Sequence, residues 1–157
     1  MDVHTTWDGH PVSREKPYGA SIVVWRRAVH GREFLILHRS HAGGPEFEGD
    51  WAWTPPSGAR VPGEALEDTA RRELLEEAAL DLPLEPSDLG SDDWAVFVAE
   101  APAGALVALD DEHDRFVWLP AAEAAAKCRP PSVGHTLLEV DDWLDQTSAK
   151  PDHGCYT

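Results

Sequence analysis

The apolar residues of the chain form two kinds of run, which differ in their spacing. Four runs are continuous or nearly so and rich in β-branched and aromatic side chains, at positions 20–29, 33–39, 94–100 and 115–120. Such runs predict β-strands that are largely buried. A His–Gly pair at positions 30 and 31 separates the first two runs. It predicts a turn between neighbouring strands.

Elsewhere the apolar residues recur every three or four positions, which is typical of amphipathic helices. The stripe of Leu66, Ala70, Leu74 and Ala78 predicts a helix over residues 64–78. A similar stripe predicts a helix over 133–144, and the alanine-rich segment 121–127 predicts a short one. Segments 40–50 and 83–93, rich in Gly, Pro and charged residues, predict loops, and segment 101–114 predicts a loop with some extended chain. Because strands and helices are mixed, the expected fold class is α/β (α+β), with a mixed sheet packed between helices.

Composition and charge narrow the classes of function. The chain has 157 residues, 42% of them apolar, which is enough for one domain with a buried core. We expect a single domain over residues 1–157, with 1–18 and 146–157 as peripheral tails. Its 13 Lys and Arg against 29 Asp and Glu give a net charge of −16. Such a surface repels a nucleic-acid polymer, whereas a small nucleotide could bind where a few basic groups or cations gather.

The cysteines and the absence of long apolar stretches bear on location. Cys128 and Cys155 are far apart and form no C-x-x-C pair, so they indicate neither a disulfide framework nor a zinc site. No apolar stretch of about 18 residues occurs. We therefore expect a soluble, cytoplasmic protein that has no membrane partner.

The predicted helix over 64–78 carries three carboxylates, Glu73, Glu76 and Glu77, in its last turns. A helix C-terminus is the negative end of the helix dipole, so carboxylates there are unfavourable unless something positive compensates. Spacings of three and four place them on one face. One interpretation is a solvated acidic surface, since Glu is a good helix former. The other is a site for a hard divalent cation such as Mg²⁺, which prefers oxygen ligands.

The segment before this helix favours the second interpretation. Gly58 is followed by five residues and Glu64, and seven more lead to RELLEEAAL at positions 72–80. This spacing resembles the signature of the Nudix hydrolases, whose fold is an α/β/α sandwich with a central mixed β-sheet. Every fixed position matches except one, because Ala79 stands where the family has glycine. Glycine there closes the helix in a left-handed conformation. Alanine would cost roughly 1–2 kcal/mol in that conformation, or the helix would run on.

The resemblance implies roles for the residues of the motif. Glu73, Glu76 and Glu77 would ligate Mg²⁺ or Mn²⁺, together with the backbone carbonyl of Ser57. Arg72 would orient these carboxylates, and Glu64 would support the loop. The implied reaction is the attack of water on phosphorus, which breaks a phosphoanhydride bond in a nucleoside diphosphate linked to a further group.

A carboxylate outside the motif often completes such a site in the family. The candidate here is Glu112 in DDEHDRFVWLP, a string that resembles a segment common after the third main strand of the family. We expect Glu112 to act as a further ligand or as the general base, with Asp111 and Asp114 as weaker alternatives. Its other interpretation is an ordinary acidic surface loop.

Five further side chains were considered for contacts to a substrate or a metal. Arg39 matches a basic position that contacts phosphates in several members of the family. Trp51 and Trp53 lie beside the glycine-rich loop and could stack on a nucleobase. His38 and His41 are three residues apart, which is a weak metal pattern, and we expect them to be ordinary loop residues.

The substrate is less well defined than the family. WTPPSGARVPGE, at positions 53–64, resembles a segment of the asymmetric diadenosine tetraphosphate hydrolases, but Ser57 replaces the lysine of that subgroup. The strand that carries lysine and tyrosine there is WAVFVAE here. We expect a dinucleoside polyphosphate or a (d)NTP as substrate. An ADP-ribose pyrophosphatase, or a nucleotide-binding sensor without turnover, is the alternative. The protein is expected to be a monomer or a homodimer.

Overall fold

The structure is a computed structural model that describes residue 9, residues 11–40 and residues 43–149, without the side chains of the last two. Seven strands and three helices follow one another along these residues. The strands are β1 Gly19–Ala28, β2 Gly31–Arg39, β3 Trp53–Thr54, β4 Ser57–Ala59, β5 Glu85–Pro86, β6 Trp94–Glu100 and β7 His113–Pro120. The helices are α1 Leu66–Ala78, α2 Ala121–Lys127 and α3 Pro131–Ala149.

All seven strands belong to one mixed sheet. Its main order is β3-β2-β1-β6-β5, with β4 paired to β1 and β7 paired to β2. β1 runs antiparallel to β2 and parallel to β6, so the sheet contains both kinds of pairing. The pairing of β4 with β1 brings Ser57 opposite Ser21. The start of the signature segment is thereby fixed at the centre of the sheet.

Alternation along the strands separates two hydrophobic cores, one on each face of the sheet. Ile22 and Val24 pack on the face covered by α1, where they meet the buried stripe of that helix. Val23 and Trp25 point to the opposite face, which α2 and α3 cover. The period of two along a strand explains this division, because neighbouring side chains project to opposite sides. The layers are thus helix, sheet and helix, and the predicted α/β/α fold class is confirmed.

The four predicted strands and three predicted helices are all present, with shifts at their ends. Helix α1 begins at Leu66, two residues later than predicted, because Gly63 has a φ of 79° and the amide of Glu64 bonds to the carbonyl of Val61. Helix α3 extends to Ala149 and so includes part of the predicted tail. Within the residues described, no helix is long and apolar enough to cross a membrane.

Candidate functional site

A cavity of about 1100 Å³ opens where the segment before α1, residues 57–65 (the signature loop), meets α1 and the central strands. Its wall holds most of the side chains that the sequence singled out. The carboxylates on it are Glu64, Glu73, Glu76, Glu77 and Glu112, and the guanidinium groups are Arg39 and Arg72. The N-terminal end of α3 and the strands β1 and β6 supply further parts of the wall. The structure therefore brings the motif and the segment around Glu112 together, although they are far apart in sequence.

Backbone packing at Gly58 places the first of the carboxylates. A Cβ atom built on Gly58 would overlap the carboxyl group of Glu73, so only glycine lets this side chain lie against β4. The neighbouring Ser57 amide donates a hydrogen bond of 3.1 Å to Oε1 of Glu77. The two glutamates of α1 are thereby seated against the signature loop, and one of them is hydrogen-bonded to its backbone.

Arg72 links the loop to the acidic face of the helix. Its Nε lies 2.9 Å from Oε2 of Glu64, and its Nη2 donates to the carbonyl of Ala59 at 3.0 Å. Its Nη1 also contacts Glu73 and Glu76, at 3.1 and 3.4 Å. The bond from Arg72 holds the pKa of Glu64 down at about 2. Glu64 is therefore a charged anchor of the loop, and Arg72 spans it and two of the candidate ligands.

Glu77 is buried and Glu73 is largely shielded from solvent, and the ionisation of both carboxylates is suppressed. Burial raises the pKa of Glu77 well above its usual value, and the charge of Glu73 and, less strongly, that of Glu112 add to this effect. Burial also raises the pKa of Glu73 to about 7, although the charge of Arg72 acts in the opposite direction. Carboxylates that are desolvated together avoid charge, and a nearby cation would favour their ionised forms.

The end of α1 confirms the left-handed alternative for Ala79. This residue has φ 58° and ψ 35°, and its amide donates to the carbonyl of Leu75 at 3.0 Å. The helix therefore closes where the family has glycine, in spite of the Cβ atom. Glu77 keeps its hydrogen bond to the amide of Ser57, and the strained backbone belongs to a residue that carries no functional group.

Glu112 lies on the cavity wall, just before β7 begins. Its backbone carbonyl accepts a hydrogen bond of 2.9 Å from the amide of Ser40, which ties this loop to the end of β2. Asp111 and Asp114 do not line the cavity. Asp110, which the sequence did not single out, is close enough to raise the pKa of Glu77. Glu112 is thus the better placed of the three carboxylates predicted in this segment.

The predicted substrate contacts divide into two groups. Arg39 lines the cavity, and among the described residues its buried Nε finds no hydrogen-bond partner. Trp51 also lines the cavity and is 53% exposed. Trp53 is only 3% exposed and lies outside the cavity wall, packed in the core with Lys127 4.5 Å from its ring. The structure therefore leaves Trp51, and not Trp53, available to a ligand.

Some residues of the site lack a distinctive sequence signal. Trp94 lines the cavity at the start of β6, and its indole nitrogen donates to Ser21 at 2.9 Å. Only the position of Trp94 at the start of a strand, beside a loop, could have suggested that it lines the cavity.

His38 is fully buried in β2, so the prediction of a loop histidine was wrong for it. His41, the other histidine of that prediction, lies outside the described residues.

The side chains are not arranged as a finished metal site. Across residues 11–40 and 43–149, no group of three or more His, Cys, Asp or Glu side chains converges so that it could hold a metal ion. Arg72 contacts two of the candidate ligands, and the Glu76 side chain is 56% exposed. Coordination would therefore use the carboxylate oxygens of Glu73 and Glu76 that Arg72 does not contact, or would compete with Arg72 for the others.

Comparison with known proteins agrees with this architecture. The model of the NUDIX domain family matches residues 16–140, which is more than half of the chain. The structure of a C. elegans Ap4A hydrolase binary complex is similar, with a TM-score of 0.66 and 23% identity over 82% of this chain and 97% of that chain. The E. coli dihydroneopterin triphosphate pyrophosphohydrolase has a TM-score of 0.63 and 21% identity, over 81% and 96%.

A third similar structure is the NUDIX domain of Shewanella oneidensis NrtR, complexed with ADP ribose. Its TM-score is 0.62 at 16% identity, over 80% of this chain and 86% of that chain. A search of curated protein sequences found no significant match. The family match and the shared fold establish the class. The chain belongs to the Nudix family and is an enzyme of the nucleotide pyrophosphohydrolase type.

Proposed function

We propose that this enzyme hydrolyses a phosphoanhydride bond in a nucleoside diphosphate linked to a further group, with Mg²⁺ as cofactor and Mn²⁺ as an alternative. One observation carries the proposal. The buried carboxylates Glu73 and Glu77 share a cavity with Arg39, whose Nε is buried and unpaired within the described part of the chain. An acidic cluster beside a free guanidinium donor suits a phosphate chain that arrives with divalent cations.

The donor atoms fit such a cation. Glu73, Glu76 and Glu77 would hold it together with the backbone carbonyl of Ser57, and Glu112 would add a further carboxylate. All of these donors are oxygen atoms, the kind that Mg²⁺ prefers. The raised pKa values of Glu73 and Glu77 also fit, because a cation favours the ionised form of a buried carboxylate. When bound, the ion would stabilise negative charge on the phosphoryl group and make water more acidic.

The remaining roles fall to groups of the chain itself. Arg39 would donate hydrogen bonds to phosphate oxygens, as a planar guanidinium does well. Glu112 would accept a proton from the attacking water, since a carboxylate on a loop can be brought within hydrogen-bond reach. Trp51 would stack on the nucleobase with its exposed ring, a contact worth about 1–3 kcal/mol per base. Arg72 would keep the motif carboxylates oriented through its bonds to Glu64.

For the substrate we propose a dinucleoside polyphosphate or a (d)NTP. The WTPP sequence at positions 53–56 supports this choice, and so do the structural neighbours named for Ap4A and for dihydroneopterin triphosphate. A second candidate is an ADP-ribose-like diphosphate. It is favoured by the basic groups of the described cavity wall, which are Arg39 and Arg72 alone, because a short phosphate chain needs fewer of them.

Product analysis tests the proposal. The full chain is incubated with Mg²⁺ and, in turn, diadenosine tetraphosphate, ATP, dGTP, 8-oxo-dGTP and ADP-ribose, and the phosphorylated products are separated. We expect turnover of at least one compound, and the preferred one identifies the substrate class. Binding of a nucleotide without turnover of any compound would contradict the proposal and support a sensor.

A further inference from the structure

His38 is a buried histidine that the proposed chemistry does not use. Its side chain is completely shielded from solvent at the end of β2. Nδ1 lies 2.6 Å from Oδ1 of Asp114, and Nε2 lies 2.6 Å from the backbone carbonyl oxygen of Phe47. The indole ring of Trp53 covers it, with the ring centroids 4.9 Å apart. Both ring nitrogens therefore face an oxygen atom at short hydrogen-bond distance.

The identity of these two oxygens decides the protonation state of the ring. A carbonyl oxygen can only accept a hydrogen bond. Asp114 is an acceptor as well. An aspartate is ordinarily ionised at neutral pH, and the second carboxylate oxygen of Asp114 accepts a hydrogen bond of 2.8 Å from Arg115. A neutral imidazole has one donor and one acceptor, so one of its nitrogens would face an oxygen without a proton between them. Only the imidazolium satisfies both contacts.

The bond to Phe47 fixes a loop, residues 43–51, that leads to the cavity. The ring of Phe47 fills the space over two glycines, since a Cβ atom on Gly43 or Gly49 would lie 2.9 Å from it. Trp51 ends the loop with a φ of 71°, and its amide donates to the carbonyl of Arg129 at 2.7 Å. A left-handed conformation in a bulky residue persists only where its surroundings hold it in place.

We propose that His38 is a positioning residue that acts as an imidazolium clamp on loop 43–51, and that it thereby sets the position of Trp51 on the cavity wall. The clamp joins the end of β2 to β7 through Asp114 and to the loop through Phe47. Its effect on substrate binding rests on the proposed function, in which Trp51 stacks on the base. The clamp itself does not depend on any reaction.

Charged groups surround the ring from each neighbouring element. On β7, Arg115 donates to the second carboxylate oxygen of Asp114 at 2.8 Å. Glu48, in the loop, lies 3.8 Å from Arg115. Two cations also lie near His38: the side chains of Arg115 and of Lys127 on α2 lie over the Trp53 ring, 5.4 and 4.5 Å from its centroid. Asp114 is thus the anion in direct contact with the imidazolium. This contact stabilises the positive charge of the buried ring.

The direct test is the protonation state of His38 in the unmodified protein. Histidine labelled with ¹⁵N is incorporated, and the ring nitrogens are observed by ¹H–¹⁵N correlation at pH 7. The His38 signals are assigned in the wild type by the proximity of the ring to the Trp53 indole, and are checked by their loss in His38→Gln. We expect two protonated ring nitrogens. A neutral tautomer would overturn the proposal, and this result would leave any hydrolytic activity intact, so the two ideas are separable. Because the spectrum is recorded on the wild type, it stands even if the variant folds poorly.

Hydrogen exchange tests the positioning role without a substrate. In His38→Gln the single amide can donate to only one of the two oxygens, so the amides of Trp51 and Ala52 are expected to exchange about fivefold faster, as for the loss of one hydrogen bond. The matched control is His30→Gln, because His30 is exposed in the turn between β1 and β2. Unchanged exchange in loop 43–51 of His38→Gln would contradict the clamp.

Kinetics on the preferred substrate complete the test. We expect His38→Gln to raise KM about fivefold and to leave kcat within about twofold, because the change displaces a binding surface and not the reacting groups. In a Trp51→Ala background the same substitution should alter KM little, since the surface that it positions is gone. An equal effect in both backgrounds would show that His38 does not act through Trp51.

Discussion

Replacing Glu73 by glutamine should stabilise the metal-free protein at neutral pH, although it removes a candidate ligand. The side chain is only 12% exposed, and its pKa is raised from 4.5 to about 7. A shift of that size corresponds to about 3 kcal/mol of differential stability between the protonated and ionised forms. Glutamine resembles the protonated form, so the variant avoids the cost that the ionised carboxylate imposes on the fold.

The sign of the pH dependence follows from the direction of the shift. Between pH 4.5 and 7 the unfolded chain releases the proton of Glu73 while the folded chain keeps it. The free energy of unfolding of the wild type therefore falls as the pH rises through this window. The stability of Glu73→Gln should not change for this reason. The variant and the wild type should be similar near pH 5 and differ by about 3 kcal/mol at pH 8.

Urea denaturation in EDTA, followed by circular dichroism at pH 5 and pH 8, measures this difference. Glu67→Gln is the matched control, because Glu67 lies on the same helix with its side chain 57% exposed and pairs with Arg71. We expect that control to change the stability by less than about 1 kcal/mol. Added Mg²⁺ should stabilise the wild type and narrow the gap to Glu73→Gln. A variant no more stable than the wild type at pH 8, or an equal gap at both pH values, would refute the reasoning.

Two further predictions concern stability. Ala79→Gly should stabilise the protein by about 1 kcal/mol, because glycine adopts φ 58° without strain. Ala126→Gly, a change in the right-handed last turn of α2, should instead destabilise the protein by up to about 1 kcal/mol, and urea midpoints at pH 7 would show whether the signs differ. Glu64→Gln should lower the free energy of unfolding by a few kcal/mol at pH 7, because the hydrogen bond from Arg72 lowers the pKa of Glu64 to about 2. In the wild type this contribution to stability is present above pH 4.5 and is lost as the pH falls towards 2. An acid-unfolding curve as steep for Glu64→Gln as for the wild type would argue against this anchor.

Periodicity was sufficient to predict the layers of the fold. The apolar stripe from Leu66 to Ala78 repeats every four residues because of the geometry of a single helix. The alternation along β1 likewise follows from the geometry of a single strand, so both patterns can be recognised without knowledge of distant contacts. Strands β3, β4 and β5 were not predicted, because each is only two or three residues long and exists through its pairing with a distant strand. Local patterns carry no information about such partners.

The candidate site also contains features that one element determines, which could be predicted, and features that distant contacts determine, which could not. The motif spacing placed Glu73, Glu76 and Glu77 on one helix, and the structure puts all three on the cavity wall. The different positions of Trp51 and Trp53 depend on the left-handed backbone of Trp51 and on the contacts of Trp53 with His38 and Lys127. Two tryptophans separated by one residue give no sign of this in the sequence. The burial of His38 likewise depends on Asp114, 76 positions away.

The central claim is that the buried carboxylates of α1 carry metal-dependent hydrolysis, and Glu77 tests it most directly because it is 3% exposed and bonded to the signature loop. The measurement is the rate of product formation from the preferred nucleotide, in Mg²⁺ and in EDTA, for the wild type, Glu77→Gln and the control Glu67→Gln. We predict that the wild type and Glu67→Gln turn over the nucleotide in Mg²⁺ and not in EDTA. The rate of Glu77→Gln should be lower by about a hundredfold or more, which is the size of effect expected when a group that stabilises the transition state is removed. Undiminished hydrolysis by Glu77→Gln, or equal rates in EDTA, would contradict the claim.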